Sequence, residues 1–249
     1  MSIESTADWE GLRQVAKVAR LTLDALAEQV RPGVATGELD ATAARVLAAH
    51  HARSAPALVY GFPGTVLISI NDEIVHGIPG PRRIGAGDIV KIDVTVEKDG
   101  YVADAARSVV VEPASTMARR LVACATAAFH AALAVARAGE RVNEIGRAVE
   151  GEVRRRGFSV VEGLSGHGVG RTIHEEPTVP NRYDPFQRDV LTEGLVLTVE
   201  PIISAGSARV VQDADGWTLR TRDRSLSAHY EHTLVITRGA PIVLTGTAA

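Results

Sequence analysis

A single cysteine, Cys124, is all the thiol chemistry the chain carries, and one thiol cannot close an intrachain disulfide, so the fold has to be held by burial. The residues around it, RRLVACATAAFHAALAVARAG, read as the core of a helix and not as a reactive site. No segment approaches the ~20 consecutive apolar residues that a membrane span needs. The opening MSIESTADWEGLRQ has no basic stretch followed by an apolar one, which argues against a secretory leader. Positive charge is not in excess either: Lys and Arg total 27 against 30 Asp and Glu, a net charge of −3. No whole-chain field therefore recommends DNA or an anionic membrane as partner. The expected setting is reducing and cytoplasmic.

What is present suffices for a substantial core, with 249 residues, 45% of them hydrophobic and 23% charged. Leu12, Val15, Ala19, Leu23, Leu26 and Val30 recur at steps of three and four, which predicts an amphipathic helix from Trp9 to Val30, stopped by Arg31-Pro32-Gly33. A second helix is expected from a cap at Thr36 to His50 or His51, and Pro56, Gly61, Pro63 and Gly64 then mark a loop. The β-branched stretches TVLISI and DIVKIDVTVEKDGYVADAARSVVV predict strands, the second folded back at the hairpin signal Asp99-Gly100. The order then returns: helices over 115–138 and 143–156, followed by strands near Phe158, Val196, Arg209, Thr233 and Ile242. Two helices then strands, twice over, predicts an internally duplicated α+β fold. No low-complexity linker intervenes, so residues 1–249 are read as a single domain with halves of about 9–113 and 114–249.

The hairpin carries the first chemical clue. If Asp99-Gly100 is a two-residue turn, Asp104 pairs opposite residue 95 and shares a face with Asp93, their Cβ atoms within roughly 7–8 Å. Two acids on one face of an apolar hairpin repel unless a proton or a cation lies between them. A shared proton, an arginine partner or an exposed face would explain the two alone. The same chemistry recurs downstream: His167 and His174 in GLSGHGVGRTIHEEP, Glu200 in LTVEPI, and Glu231 at the start of the apolar run in SLSAHYEHTLVIT. Taken singly, the histidines suit a hydrogen-bonded turn and Glu200 a strand end. Taken together, two Asp, one His and two Glu in apolar strand settings form an oxygen-rich, imidazole-containing ligand set for two divalent first-row ions. Such ions, ~3.5–4 Å apart, can bridge a water, lower its pKa and hold it for attack on a carbonyl.

Competing motifs fail in detail. In HEEPT, Thr178 stands where the second histidine of H-E-x-x-H belongs and Pro177 would break the helix. GLSGH lacks the final glycine of a nucleophile elbow around Ser165, and GHGVGR has the wrong spacing for a dinucleotide fingerprint. The run Arg154-Arg155-Arg156 closes a helix, where cations complement the dipole, and is read as a solvated end in preference to a ribosomal RNA contact.

The ordered set SINDEIVHGIP, KIDVTVEKDGYVADAARS, SGHGVGRTIHEEP, LTVEPI and DGWTLRTRDRSLSAHYEHT resembles the bacterial type I methionine aminopeptidases across nearly the whole chain. The resemblance implies the pita-bread fold, a curved antiparallel sheet covered by helices. It implies two divalent ions, Co2+, Mn2+, Fe2+ or Zn2+, held by Asp93, Asp104, His167, Glu200 and Glu231, with Glu200 also the general base and His76 and His174 binding substrate and stabilising the transition state. The implied activity is removal of the initiator methionine from nascent polypeptide N-termini when the second residue is small and uncharged, by attack of a metal-bridging hydroxide on the first peptide bond. The partners would be nascent chains, with transient ribosome contact, and the enzyme a monomer.

By the same resemblance the specificity pocket should be lined by Val59, Phe62, Leu67, Ile173 and Trp217. Many bacterial members carry tyrosine at the place of Val59, cysteine at that of Leu67 and phenylalanine at that of Ile173. The surface stays apolar, and losing two rings would widen it unless Ile173 is a neutral exchange; one methylene in such a pocket discriminates by only ~1–3 kcal/mol. Two other readings compete. Proline-directed peptidases share the metal ligands but usually carry an extra N-terminal domain, for which this chain has no room. A pita-bread binding module without catalysis would have little reason to keep a charged cluster that is costly when empty.

Overall fold

The structure, a computed structural model, describes residues 1–246. Helix α1 spans Thr6–Ala27 and starts three residues before its apolar stripe, because Ser5 caps it by accepting from the Asp8 N–H at 3.1 Å. Helix α2 spans Thr36–Ala49, and its cap differs from the expected one. Ala35 is the N-cap, without a side-chain bond, while Thr36 turns its hydroxyl to Gly80, accepting from N–H at 2.9 Å.

Strand β1 (Arg53–Ser54) leads into a second correction. The segment read as a loop holds the short helix α3, Ala55–Tyr60. Pro56 sits in its first turn, where a missing N–H costs nothing, and Gly61 ends it at φ 69°. Proline and glycine here bound a helix instead of excluding one.

Strands β2 (Leu67–Ile70), β3 (Glu73–Val75), β4 (Ile89–Lys98) and β5 (Tyr101–Val110) follow. Lys98 pairs with Tyr101 and Thr95 with Asp104, so the Asp99-Gly100 turn is the two-residue type; both residues have positive φ, 52° and 79°. The second half brings α4 (Thr116–Leu133) and α5 (Val142–Arg155), then β6 (Ser159–Val160), β7 (Ser165–Gly168), β8 (Glu175–Pro180), β9 (Val196–Val199), β10 (Ile202–Ser204), β11 (Val210–Gln212), β12 (Leu219–Thr221), β13 (Ser227–Val235) and β14 (Ile242–Val243). The spine of an eleven-stranded sheet runs β1-β4-β5-β13-β9-β7-β8, antiparallel at every pairing, and β11-β12-β3 form a smaller sheet.

Period-two alternation decides what each face of the large sheet does. Ile92, Val94 and Val96 of β4 join Leu12, Leu23 and Ala103 in a buried cluster with α1 and α2. Leu197, Val199 and Leu234 join Leu121, Phe129 and Val149 in a second, under α4 and α5. The alternate positions Asp93, Thr95, Asp104, His229 and Glu231 are thereby turned to the opposite face, where they line one cavity. Cys124 lies fully buried in α4, and burial pushes its thiol up to about 11, which keeps it unreactive. The arginines that close α5 pair with Glu150 and Glu152, as in Arg154 to Glu150 at 2.7 Å and Arg155 to Glu152 at 2.7 Å.

The left-handed turn makes a direct prediction. Gly100→Ala should destabilise the protein by about 1–2 kcal/mol, read as a fall of roughly 2–8 °C in Tm. An unchanged Tm would mean that the turn relaxes at no cost.

Candidate metal centre

Five strands of the large sheet build the centre, three of them neighbours. On β5, Ala106 pairs on one side with Asp93 of β4 and on the other with Glu231 of β13. The two carboxylates therefore flank a residue with only a methyl group, which leaves the space between them open. Asp104 lies two positions before Ala106, on the same face. His167 comes from β7, and Glu200 directly follows β9.

The ligand atoms fall into two triads. Asp93, His229 and Glu231 offer atoms all within 4.8 Å of one another, and so do Asp104, His167 and Glu231. Glu231 belongs to both. Glu200 is adjacent, its Oε1 3.6 Å from His167 Nε2. The second face of each group is fixed by the fold. Thr198 Oγ1 donates to Glu200 Oε1 at 3.0 Å and accepts from the His167 N–H at 3.1 Å. His167 Nδ1 lies 2.9 Å from the Gly168 carbonyl; donating there puts the ring proton on Nδ1 and leaves Nε2 free to coordinate. Thr233 Oγ1 brackets the backbone of Asp104, accepting from its N–H at 2.9 Å and donating to its carbonyl at 2.8 Å.

A divalent cation fits these residues. Asp93 Oδ1, Asp104 Oδ1 and Glu231 Oε1 are buried without a hydrogen-bond partner, which in a native interior calls for an ion or a proton. Burial raises Asp93, Glu200 and Glu231 well above the usual carboxylate range and Asp104 above it, and for Asp93, Glu200 and Glu231 the charge of the neighbouring acids adds to the rise. Burial lowers His167, His76 and His174, and His229 falls to about 3, so the imidazoles are neutral and able to ligate. Oxygen and neutral imidazole together suit first-row divalent ions.

The centre opens onto a cavity of ≈ 550 Å³ that is also lined by the apolar side chains of Phe62, Leu67, Ile173, Ile202 and Trp217; Leu67 stands beside Asp93 in the cross-strand register and Ile202 beside His229. Phe62 and Trp217 meet edge to face at 5.2 Å. Val59 is not there: it stands on α3 at 57% exposure, pointing away, and the expectation that it lines the pocket is corrected. A six-residue helix turns adjacent side chains about 100° apart, and α3 presents Pro56 and Tyr60 to the cavity in its place. Tyr60 Oη lies 2.6 Å from His174 Nδ1. When the phenol donates, the imidazole proton sits on Nε2. His174 also packs edge to face on His167 at 4.3 Å. His76 lines the cavity from a left-handed backbone, φ 62°, just after β3, and Gly77 beside it has no room for a Cβ against the Ile68 carbonyl. Strain of this kind persists where the surroundings fix it. Sequence reasoning missed Tyr60, Thr198 and His229. Only His229 had a readable signal, its i, i+2 spacing to Glu231 along a strand.

Residues 10–238 match the model of metallopeptidase family M24. The chain is 41% identical to methionine aminopeptidase 2 of Bacillus subtilis over 98% of its own length and 99% of the relative's. Its structure resembles the crystal structure of the Thermotoga maritima methionine aminopeptidase, with a TM-score of 0.95 and 30% identity over 98% and 99% of the two chains. It also resembles Pyrococcus furiosus prolidase, with a TM-score of 0.79 and 22% identity, matching 99% of this chain and 66% of that one. The pita-bread fold is common to all three.

Raised carboxylate pKa values fix a pH dependence. An acid whose folded pKa exceeds its unfolded value contributes stability that is present below the unfolded value and is lost as pH rises through the folded one. The metal-free protein should therefore lose stability above about pH 4–5, whereas a cation that takes the place of the protons binds better as they leave. The stabilisation gained on adding cobalt, read as a rise in Tm, should grow from about pH 5.5 to pH 8, reaching about 2.7 kcal/mol when free ion is about a hundred times Kd. A pH-independent gain in differential scanning fluorimetry would show that these acids do not share the ion.

Proposed function

The chain belongs to metallopeptidase family M24, and from that premise we propose that it is a metal-dependent methionyl aminopeptidase that removes the initiator methionine from nascent proteins with a small, uncharged second residue. The observation that carries this reading is the pair of triads sharing Glu231 in a cavity whose remaining lining includes several apolar side chains. The acids suit the ammonium end of a peptide. Phe62, Leu67, Ile173 and Trp217 suit an unbranched thioether side chain. Residues 1–249 would act as one catalytic unit of two halves, about 9–113 and 114–249, working as a cytoplasmic monomer with transient ribosome contact.

Asp93, Asp104, His167, Glu200 and Glu231 would hold two divalent ions of the cobalt, manganese, iron or zinc kind. When bound, such ions polarise the scissile carbonyl and lower the pKa of a water at neutral pH. Glu200 is the general base. Thr198 occupies its Oε1, which leaves Oε2 to take the proton from water and pass it to the leaving amine. His174, with its proton on Nε2, donates to the oxygen that gains charge in the transition state, and His76 binds the substrate. Phe62 packed on Trp217 excludes water from the side-chain end.

The first test is the initial hydrolysis rate of Met-Ala-Ser beside Leu-Ala-Ser and Met-Pro-Ser, using metal-stripped protein resupplied with cobalt or manganese. Cleavage is expected for the methionyl peptides alone, and Glu200→Gln should reduce it by at least about a hundredfold. Equal cleavage of the leucyl peptide would show that the pocket does not select methionine, and no cleavage with two ions bound would overturn the function. Tyr60→Phe should lower kcat with little change in KM, by the worth of one hydrogen bond, about 0.5–1.5 kcal/mol or a few-fold to tenfold. An unchanged kcat would show that His174 is oriented without the phenol.

A further inference from the structure

The mechanism leaves one imidazole of the cavity unused. His229 sits on β13 two residues before Glu231, on the same face of the strand, and is 1% exposed. Its backbone is held from both sides. The N–H donates to Ser108 Oγ at 2.9 Å, the carbonyl accepts from the same hydroxyl at 2.8 Å, and Ile202 of β10 pairs with it on the other flank. With Cα fixed so firmly, the ring has little freedom but to face the acids. Its Nε2 stands 3.4 Å from Glu231 Oε2 and 3.9 Å from Glu200 Oε2.

Both ring nitrogens are buried with no hydrogen-bond partner. A buried polar group left unpaired costs about 1–3 kcal/mol, so an imidazole here is explained only by something the ring binds. Asp93 and Glu231, whose ligand atoms lie within 4.8 Å of one of its own, indicate what that is.

We propose that His229 is itself a metal ligand, its Nε2 forming with Asp93 and Glu231 a cation position that matches the one formed by Asp104, His167 and Glu231. The inference rests on the two-metal reading given above. Its chemical consequence is selective. Without His229 the Asp93 position offers carboxylate oxygens alone, which suit hard ions such as manganese; an imidazole there raises the preference for cobalt, iron and zinc.

The test is titration of the metal-stripped full chain with Co2+ by calorimetry, with X-ray absorption of the cobalt-saturated protein, for wild type and His229→Gln. Wild type should take up two ions with an average of one imidazole on each. The variant should bind one of the two at least about tenfold more weakly, show half the imidazole per cobalt when saturated, and lose cobalt-over-manganese preference at that position. Two ions bound with unchanged affinity and imidazole count in His229→Gln would overturn the proposal and leave the two-metal reading intact, the ring then serving only as a hydrogen-bond donor to Glu231. Half an imidazole per cobalt in wild type would overturn it without recourse to a variant. A wild-type chain that binds no cobalt would overturn both. Metal-free His229→Gln should melt close to wild type, since one buried polar side chain replaces another, and an unchanged Tm puts a loss of affinity down to the lost imidazole.

Discussion

Four carboxylates in one buried place, Asp93, Asp104, Glu200 and Glu231, set the terms for the rest of the molecule. Like charges at such separations in a low-dielectric interior repel strongly. The group therefore exists only protonated or around a cation, and the scaffold must hold it together in either state. The large sheet does this through hydrogen-bonded register. Asp93, Ala106 and Glu231 lie in one cross-strand row, and Thr198 and Thr233 fasten the flanking residues from the neighbouring strands. Helices α1, α2, α4 and α5 bury the opposite face of the same strands. Stability thus comes from one side of the sheet and chemistry from the other, through the alternation of one set of strands.

The cavity wall follows a different logic, because its residues come from short, irregular pieces. The six residues of α3, the turn after β3 and the segment between β7 and β8 supply Tyr60, His76, Ile173 and His174. None of these pieces has a core of its own. They are fixed by contacts with one another: Tyr60 on His174, His174 on His167, Phe62 on Trp217. Side chains held in this way can be exchanged without disturbing the sheet.

The chain by itself determined the amphipathic helices, the hairpin and its register, because each is written in near-neighbour terms. A left-handed Asp99-Gly100 turn permits one pairing, and that pairing puts Asp93 and Asp104 on one face whatever surrounds them. Asp93, Asp104, Glu200 and Glu231 could be named from their apolar settings, since a charge in such a run needs a partner, whereas His76 was legible only through the family resemblance. Only the tertiary structure decided which way α3 turns, exposing Val59 and presenting Tyr60, and that Thr36 serves Gly80 in place of a helix end. It alone brought His229 beside Asp93, more than a hundred residues away in the chain. The physical reason is one of range. Local dihedral preferences fix a turn or a helix stripe, but the facing of a short helix and the meeting of distant strands depend on how the whole apolar face packs.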